Sequence, residues 1–186
     1  MQTLQRVGLT EDSFVAWAHV LDQVLWLFGP ALSVSCHLDY MGFPEGRTDV
    51  SFVLNILHES GRRSCIDASK ANHVAVKEWR IYGSAGNYRV EPNDVQFEAI
   101  MPGLTPLEVR TTWGMDSPVS WGVFLTGDGG EVVDARPGRY QDFYSQFAAA
   151  CRREGDVPIR PEQVGHTIEV IDATRESALS GFLVKL

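Results

Sequence analysis

Ser13–Gly29, SFVAWAHVLDQVLWLFG, decides how the rest of the chain is read. Its apolar residues Phe14, Trp17, Ala18, Leu21, Leu25 and Phe28 recur in the i, i+3, i+4, i+7 series of an amphipathic helix. Thr10, Glu11, Asp12 and Ser13 supply a cap and negative charge where the positive end of a helix dipole favours them. Gly29-Pro30 ends the run. The apolar face calls for a sheet to pack on. Val15, His19 and Asp22 share an adjacent stripe, so any chemistry on this helix sits there and not on the core face.

The sheet is expected next. Leu32, Val34, Cys36 and Leu38 alternate with Ser33, Ser35, His37 and Asp39, the pattern of a half-buried strand up to Tyr40. Ser35, His37 and Asp39 are a tempting set for a hydrolase. Same-face neighbours on a strand, however, stand about 6.6 Å apart at their backbones, too far for the tight relay of a catalytic triad. Met41 to Arg47 reads as a loop. Val50, Phe52, Leu54 and Ile56 alternate again, and Ser60-Gly61 separates them from a strand over Arg63 to Ser69. Lys77 to Gly83 and Asn87 to Val90 flank the turn residues Ser84, Ala85 and Gly86.

From Glu91 to Pro118 the periodicity fades among Pro92, Pro102, Gly103, Pro106 and Pro118, and an irregular excursion is expected. Val119 to Leu125 and Glu131 to Ala135 form a further hairpin around Gly127, Asp128, Gly129 and Gly130. That glycine cluster has no following helix and no phosphate-loop spacing, so turn chemistry accounts for it. Arg139 to Arg153 places Tyr140, Phe143, Tyr144, Phe147 and Cys151 at helical spacing. Pro161 opens a last helix whose apolar stripe is read as Val164, Ile168, Ile171 and Ala178, up to Ser180-Gly181. Helices on either side of a block of strands, with no βαβα alternation, indicate an α+β fold: an open, mainly antiparallel β-sheet with helices packed on one face. The expected organisation is one domain over residues 1–186.

Composition narrows the function. An apolar fraction of 44% supports a sizeable core, and a net charge of −8 without a basic patch argues against nucleic acid and against an anionic membrane surface. Cys36, Cys65 and Cys151 lack C-x-x-C spacing, so they suggest neither a disulfide framework nor a metal site, and are read as small buried or half-buried thiols in a reducing compartment. The first helix is interrupted by His19, Asp22 and Gln23 and is too short to span a bilayer; with no basic-then-apolar signal at the N-terminus, a cytoplasmic location is expected. His58, His73 and His166 show no partner pattern, and Lys70 with His73 reads as solvated surface. Trp113 and Trp121 read as core or interface residues.

Several blocks resemble one family in order along the chain. His19, Asp22, Leu25 and Gly29 resemble an H-x-x-D-x-x-L-x-x-x-G helix, and Arg80 to Tyr88, RIYGSAGNY, a strand, turn and strand. Asp94 with Gln96, then Trp113-Gly114, then Gly138, Tyr140, Phe143 and Tyr144, resemble the excursion and G-x-Y-x-x-F-Y of one sugar-dehydrogenase-like branch; Glu176, Ser177, Ala178 and Gly181 resemble a closing E-S-A-x-x-G. Together they resemble the C-terminal domain of the Gfo/Idh/MocA oxidoreductases, which act on sugars, polyols and related compounds with a nicotinamide cofactor.

The resemblance implies His19 as the catalytic residue and His19 with Asp22 as substrate-binding residues. It implies NAD or NADP as cofactor, held by an N-terminal Rossmann domain. Three departures bear on this. No G-x-G-x-x-G occurs; the lysines Lys70, Lys77 and Lys185 do not stand in an E-K-P motif; and the family's Asp four residues before the His is Val15 here. This chain alone is therefore expected to bind no cofactor and no metal, and to be the substrate-side or oligomerisation part of a sugar or polyol oxidoreductase. The alternative is a non-enzymatic, decayed paralogue acting as a dimerisation or sugar-binding module. The expected partners are a second copy, in a homodimer through the sheet, or a Rossmann-containing chain, with a sugar-like small molecule as ligand.

Overall fold

The computed structural model describes residues 12–44, 46–70, 77–108 and 111–186; the readings at Thr10, Glu11 and His73, and the side chains of residues 12–17, lie outside them. Two compact units are present, one of Met1–His73 with Ile159–Leu186 and one of Val74–Pro158. In the first, α1 (Asp12–Phe28) leads into β1 (Ala31–Phe43), β2 (Gly46–His58) and β3 (Arg63–Ser69), and the chain returns as α4 (Pro161–Ser180) and β8 (Val184–Lys185). The sheet order is β3-β2-β1-β8, every pair antiparallel. The α+β class with antiparallel sheets stands, and the expected strand block divides into two four-stranded sheets.

Alternation in β2 does what the sequence implies: Phe52, Leu54 and Ile56 are buried beneath the helices, with Val34 of β1 and Ile66 of β3 beside them. Leu21 and Val24 of α1 and Val170, Ile171 and Ala173 of α4 close this core from above. Four rows of side chains occupy the opposite face. Register sets Lys185, Ser33, Leu57 and Arg63 in the first; Ser35, Asn55 and Cys65 in the second; His37, Val53 and Asp67 in the third; and Asp39, Ser51 and Ser69 in the fourth.

Three readings of this unit need correction. Leu32 was expected inward, but an irregularity in register between Ala31 and Ser33 inserts one residue, and Leu32 is 44% exposed. Val164 and Ile168 were expected on the packed stripe of the last helix, yet both are exposed; the buried face is Thr167, Val170, Ile171, Ala173, Thr174 and Ser177. Hydroxyls can line that face because they are satisfied locally, Thr174 Oγ1 donating to the Val170 carbonyl at 2.7 Å and Thr167 Oγ1 to that of Gln163 at 3.3 Å. Lys70 was read as solvated surface, but its Nζ is buried without a hydrogen-bond partner among the described residues.

The second unit carries β4 (Trp79–Tyr82), β5 (Asn87–Val90), β6 (Gly122–Thr126) and β7 (Gly129–Val133) in a simple meander, with α2 (Val95–Ile100) and α3 (Tyr140–Cys151). The excursion after Val90 is not wholly irregular: the Asp94 carboxylate accepts the Phe97 N–H at 2.9 Å and caps α2. The cysteines also differ from expectation. Cys36 is half-buried, and its thiol is pushed up to about 11 by burial, but Cys65 and Cys151 are exposed. No helix among the described residues is long and apolar enough to cross a membrane.

Candidate functional site

The candidate site is the outward stripe of α1. Burial of Leu21 and Val24 fixes the rotation of the helix, so that His19 and Asp22, three residues apart, both face solvent, with the 80% exposed Trp26 one further turn along. Asp22 is tied to the neighbouring helix, its Oδ1 lying 3.5 Å from the donating Thr167 hydroxyl. His19 has no hydrogen-bond or ion-pair partner among the described residues, and its imidazole is open to a ligand from above the helical layer. An exposed imidazole can accept a hydroxyl proton or donate to a carbonyl, and a carboxylate one turn away can bind a second hydroxyl. Trp26 is four residues after Asp22 and seven after His19, a helical spacing that places it on this same stripe.

His58 and His166 are structural. His58 is fully buried; its Nδ1–H donates to the Gly29 carbonyl at 2.7 Å and its Nε2 accepts from the Ser64 hydroxyl at 2.9 Å. Because a carbonyl can only accept, the bond to Gly29 puts a proton on Nδ1. It ties the end of α1 to the β2–β3 hairpin. His166 Nε2 accepts the Ala31 N–H at 3.1 Å, which pins α4 to the start of β1. On the open sheet face, His37 Nε2 stands 3.4 Å from Asp39 Oδ1, and the Ser51 hydroxyl donates to Asp39 Oδ2. The carboxylate therefore lies between serine and imidazole, and the imidazole cannot take the serine proton; Ser35 plays no part.

The remaining quoted motifs hold structure. Ser177 Oγ accepts the Cys36 N–H at 3.0 Å and donates to the Phe182 carbonyl at 2.6 Å, clasping α4 to β1. Gly181 ends α4 at φ 75, a conformation that favours glycine, and its N–H reaches the Ser177 carbonyl at 2.8 Å. In the other unit, the Tyr140 hydroxyl donates to Asp94, and the Tyr140 N–H donates to Gln96 Oε1 at 3.2 Å. That bond to Asp94, aided by burial and the carboxylate charge, pushes the phenol up to about 12. The Gly138 N–H donates to the Gly114 carbonyl at 2.7 Å, and a Cβ on Gly114, at φ 70, would stand 2.2 Å from the Gly138 carbonyl oxygen, so only glycine fits at Gly114. Trp113 is buried, as expected of a core residue.

Among the described residues no group of His, Cys, Asp or Glu could hold a metal ion. A cavity of ≈ 10 Å³ lined by Leu21, Phe52, Leu54, Ile66, Ile171 and Thr174 is water-sized and apolar, so no substrate enters there.

Residues 16–89 match the model of the GFO/IDH/MocA C-terminal domain. An uncharacterised oxidoreductase of Escherichia coli, YdgJ, is 28% identical over 165 residues, 86% of this chain and 46% of its own. A scyllo-inositol 2-dehydrogenase (NADP(+)) of Bacillus subtilis, IolW, is 24% identical over 165 residues, 87% of this chain and 45% of its own. The solved structure of yvaA from Bacillus subtilis superposes with a TM-score of 0.82 at 22% identity, covering 95% of this chain and 53% of that one. The chain thus spans about half the length of the curated relatives it matches.

Proposed function

We propose, from the match of residues 16–89 to the GFO/IDH/MocA C-terminal domain, that the chain is the substrate-side half of an NAD- or NADP-dependent oxidoreductase acting on a sugar or polyol. The observation that carries this reading is the outward stripe of α1, where His19 and Asp22 stand unburied above the helical layer. His19 binds a substrate hydroxyl and accepts its proton, and Asp22 holds a neighbouring hydroxyl. The nicotinamide supplies the hydride acceptor and is held by a nucleotide-binding Rossmann partner, since the chain has no glycine fingerprint of its own. The similarity to IolW, a scyllo-inositol 2-dehydrogenase (NADP(+)), supports a polyol as the substrate class.

Val15, where the family has Asp, removes the group that orients the imidazole. That substitution favours a second reading, a non-catalytic module that binds a sugar-like molecule or pairs with a second copy through the open sheet face. One experiment separates the two. The chain is mixed with a separately expressed nucleotide-binding half of a relative, and polyol-dependent NADP+ reduction is followed. The enzyme reading expects turnover that His19→Ala lowers by about 10²-fold or more. Absence of turnover with every polyol tried, or turnover indifferent to His19, overturns it.

A further inference from the structure

The outward stripe of α1 holds more than an imidazole and a carboxylate. His19, Asp22, Gln23 and Trp26 follow the i, i+3, i+4, i+7 series and are all exposed, so they form one continuous patch on the side of the helix away from the buried Leu21 and Val24. Trp26 is the most exposed Phe, Tyr or Trp among the described residues, at 80%, and no hydrogen bond or ring contact with a described residue engages its indole. A side chain of this size normally spends its apolar surface in a core or an interface. Around the axis it lies within about 20° of His19, and along the axis about 10 Å beyond it. Helical side chains lean towards the N-terminus, so the indole covers the turn before its own backbone, beside Asp22 and Gln23. The gap left between indole and imidazole is about 5 Å, one turn of helix, which a single six-membered ring fills. No Lys or Arg occurs in α1, and the one fixed charge on the patch is the Asp22 carboxylate.

We propose that Trp26 is the stacking platform of the substrate site and selects neutral cyclic polyols or pyranoses over open-chain polyols and over phosphorylated or carboxylated sugars. A six-membered ring with equatorial hydroxyls turns its axial C–H bonds to its two faces. Those hydrogens, made positive by the neighbouring oxygens, meet the negative face of the indole. The rim of the ring then offers hydroxyls to Asp22 and His19, and the Gln23 amide can donate to or accept from a further one. An open-chain polyol has no flat apolar face and must freeze several torsions to imitate one. An anionic substituent meets the Asp22 carboxylate with no cation on the helix to offset it. The inference rests on the assignment of His19 and Asp22 to substrate binding in the proposed function, and adds the shape and charge of the ligand.

Nuclear magnetic resonance titration of the full chain tests it, read at the backbone amides of residues 18–27. The probes are myo-inositol, sorbitol and myo-inositol 1-phosphate, and the proteins are the wild type, Trp26→Ala, Trp26→Phe and His19→Ala. Trp26 is exposed, and matching thermal melts confirm that its variants fold. The expected result is saturable binding of myo-inositol that Trp26→Ala weakens by about tenfold or more and Trp26→Phe restores to within about threefold, because a second aromatic face replaces the first. Sorbitol and the phosphate should each bind at least about tenfold more weakly than myo-inositol. Binding that His19→Ala weakens and Trp26→Ala leaves unchanged overturns the platform while the proposed function stands. Equal affinity for myo-inositol, sorbitol and the phosphate overturns the selectivity. No saturable binding of any probe to the wild type up to about 50 mM overturns this inference together with the substrate-binding role on which it rests.

Discussion

His58 has both ring nitrogens committed, one to the Gly29 carbonyl and one to the Ser64 hydroxyl, inside a fully buried shell. Removing the ring leaves those two groups unpaired and a void against Phe28, so His58→Ala should lower unfolding free energy by about 2–4 kcal/mol, read from urea melts. An effect within 0.5 kcal/mol would contradict the pairing. Tyr140 offers a pH test. Its phenol is raised to about 12, chiefly by donating to Asp94. The folded state thus holds the proton more tightly than the unfolded chain, and the resulting stabilisation is complete below about pH 10 and is lost as pH rises towards 12. Ultraviolet titration of the native protein should show one phenol ionising after the others, a step absent in Tyr140→Phe. His58 could not be read from sequence because its partners lie 29 and 6 residues away, and no spacing rule links such positions. His19 and Asp22 could, because helical period alone sends them to one outward stripe once Leu21 and Val24 are assigned inward.

At the scale of elements, the strands were the most legible part, since period-2 alternation survives in β2 almost without exception. What alternation cannot reveal is an inserted residue, and the bulge at Leu32 reverses one expected direction. The last helix misled for a different reason. Its seated face is half hydroxyl-bearing, and a hydrophobicity pattern cannot show that Thr174 and Ser177 satisfy their polar atoms locally. Prolines on both sides hid α2, although Asp94 is a recognisable cap. Ser177 supports two bonds at once, to the Cys36 amide and the Phe182 carbonyl. Ser177→Ala should therefore cost about 1–3 kcal/mol, more than a typical Ser→Ala change on a helix surface. Hydrogen exchange should show faster exchange at the Cys36 amide and at β8; unchanged protection there would mean that the clasp does not hold the sheet edge.

At the scale of the whole molecule, the motifs quoted from the sequence separate into two kinds. Ser177 with Gly181, and Asp94 with Gln96, Gly114, Gly138 and Tyr140, build the scaffold, so their presence speaks for the fold and not for activity. His19 and Asp22 remain on the solvent side of the helical layer with no structural duty that accounts for the imidazole. The proposed function takes this scaffold as a substrate-side half and assigns the grip on the nucleotide to a surface other than these residues. The most direct test of that division of labour is calorimetric titration of the purified chain with NADP+ and NAD+. The account predicts no saturable binding up to millimolar nucleotide; a one-to-one isotherm with a submillimolar Kd for either would contradict it.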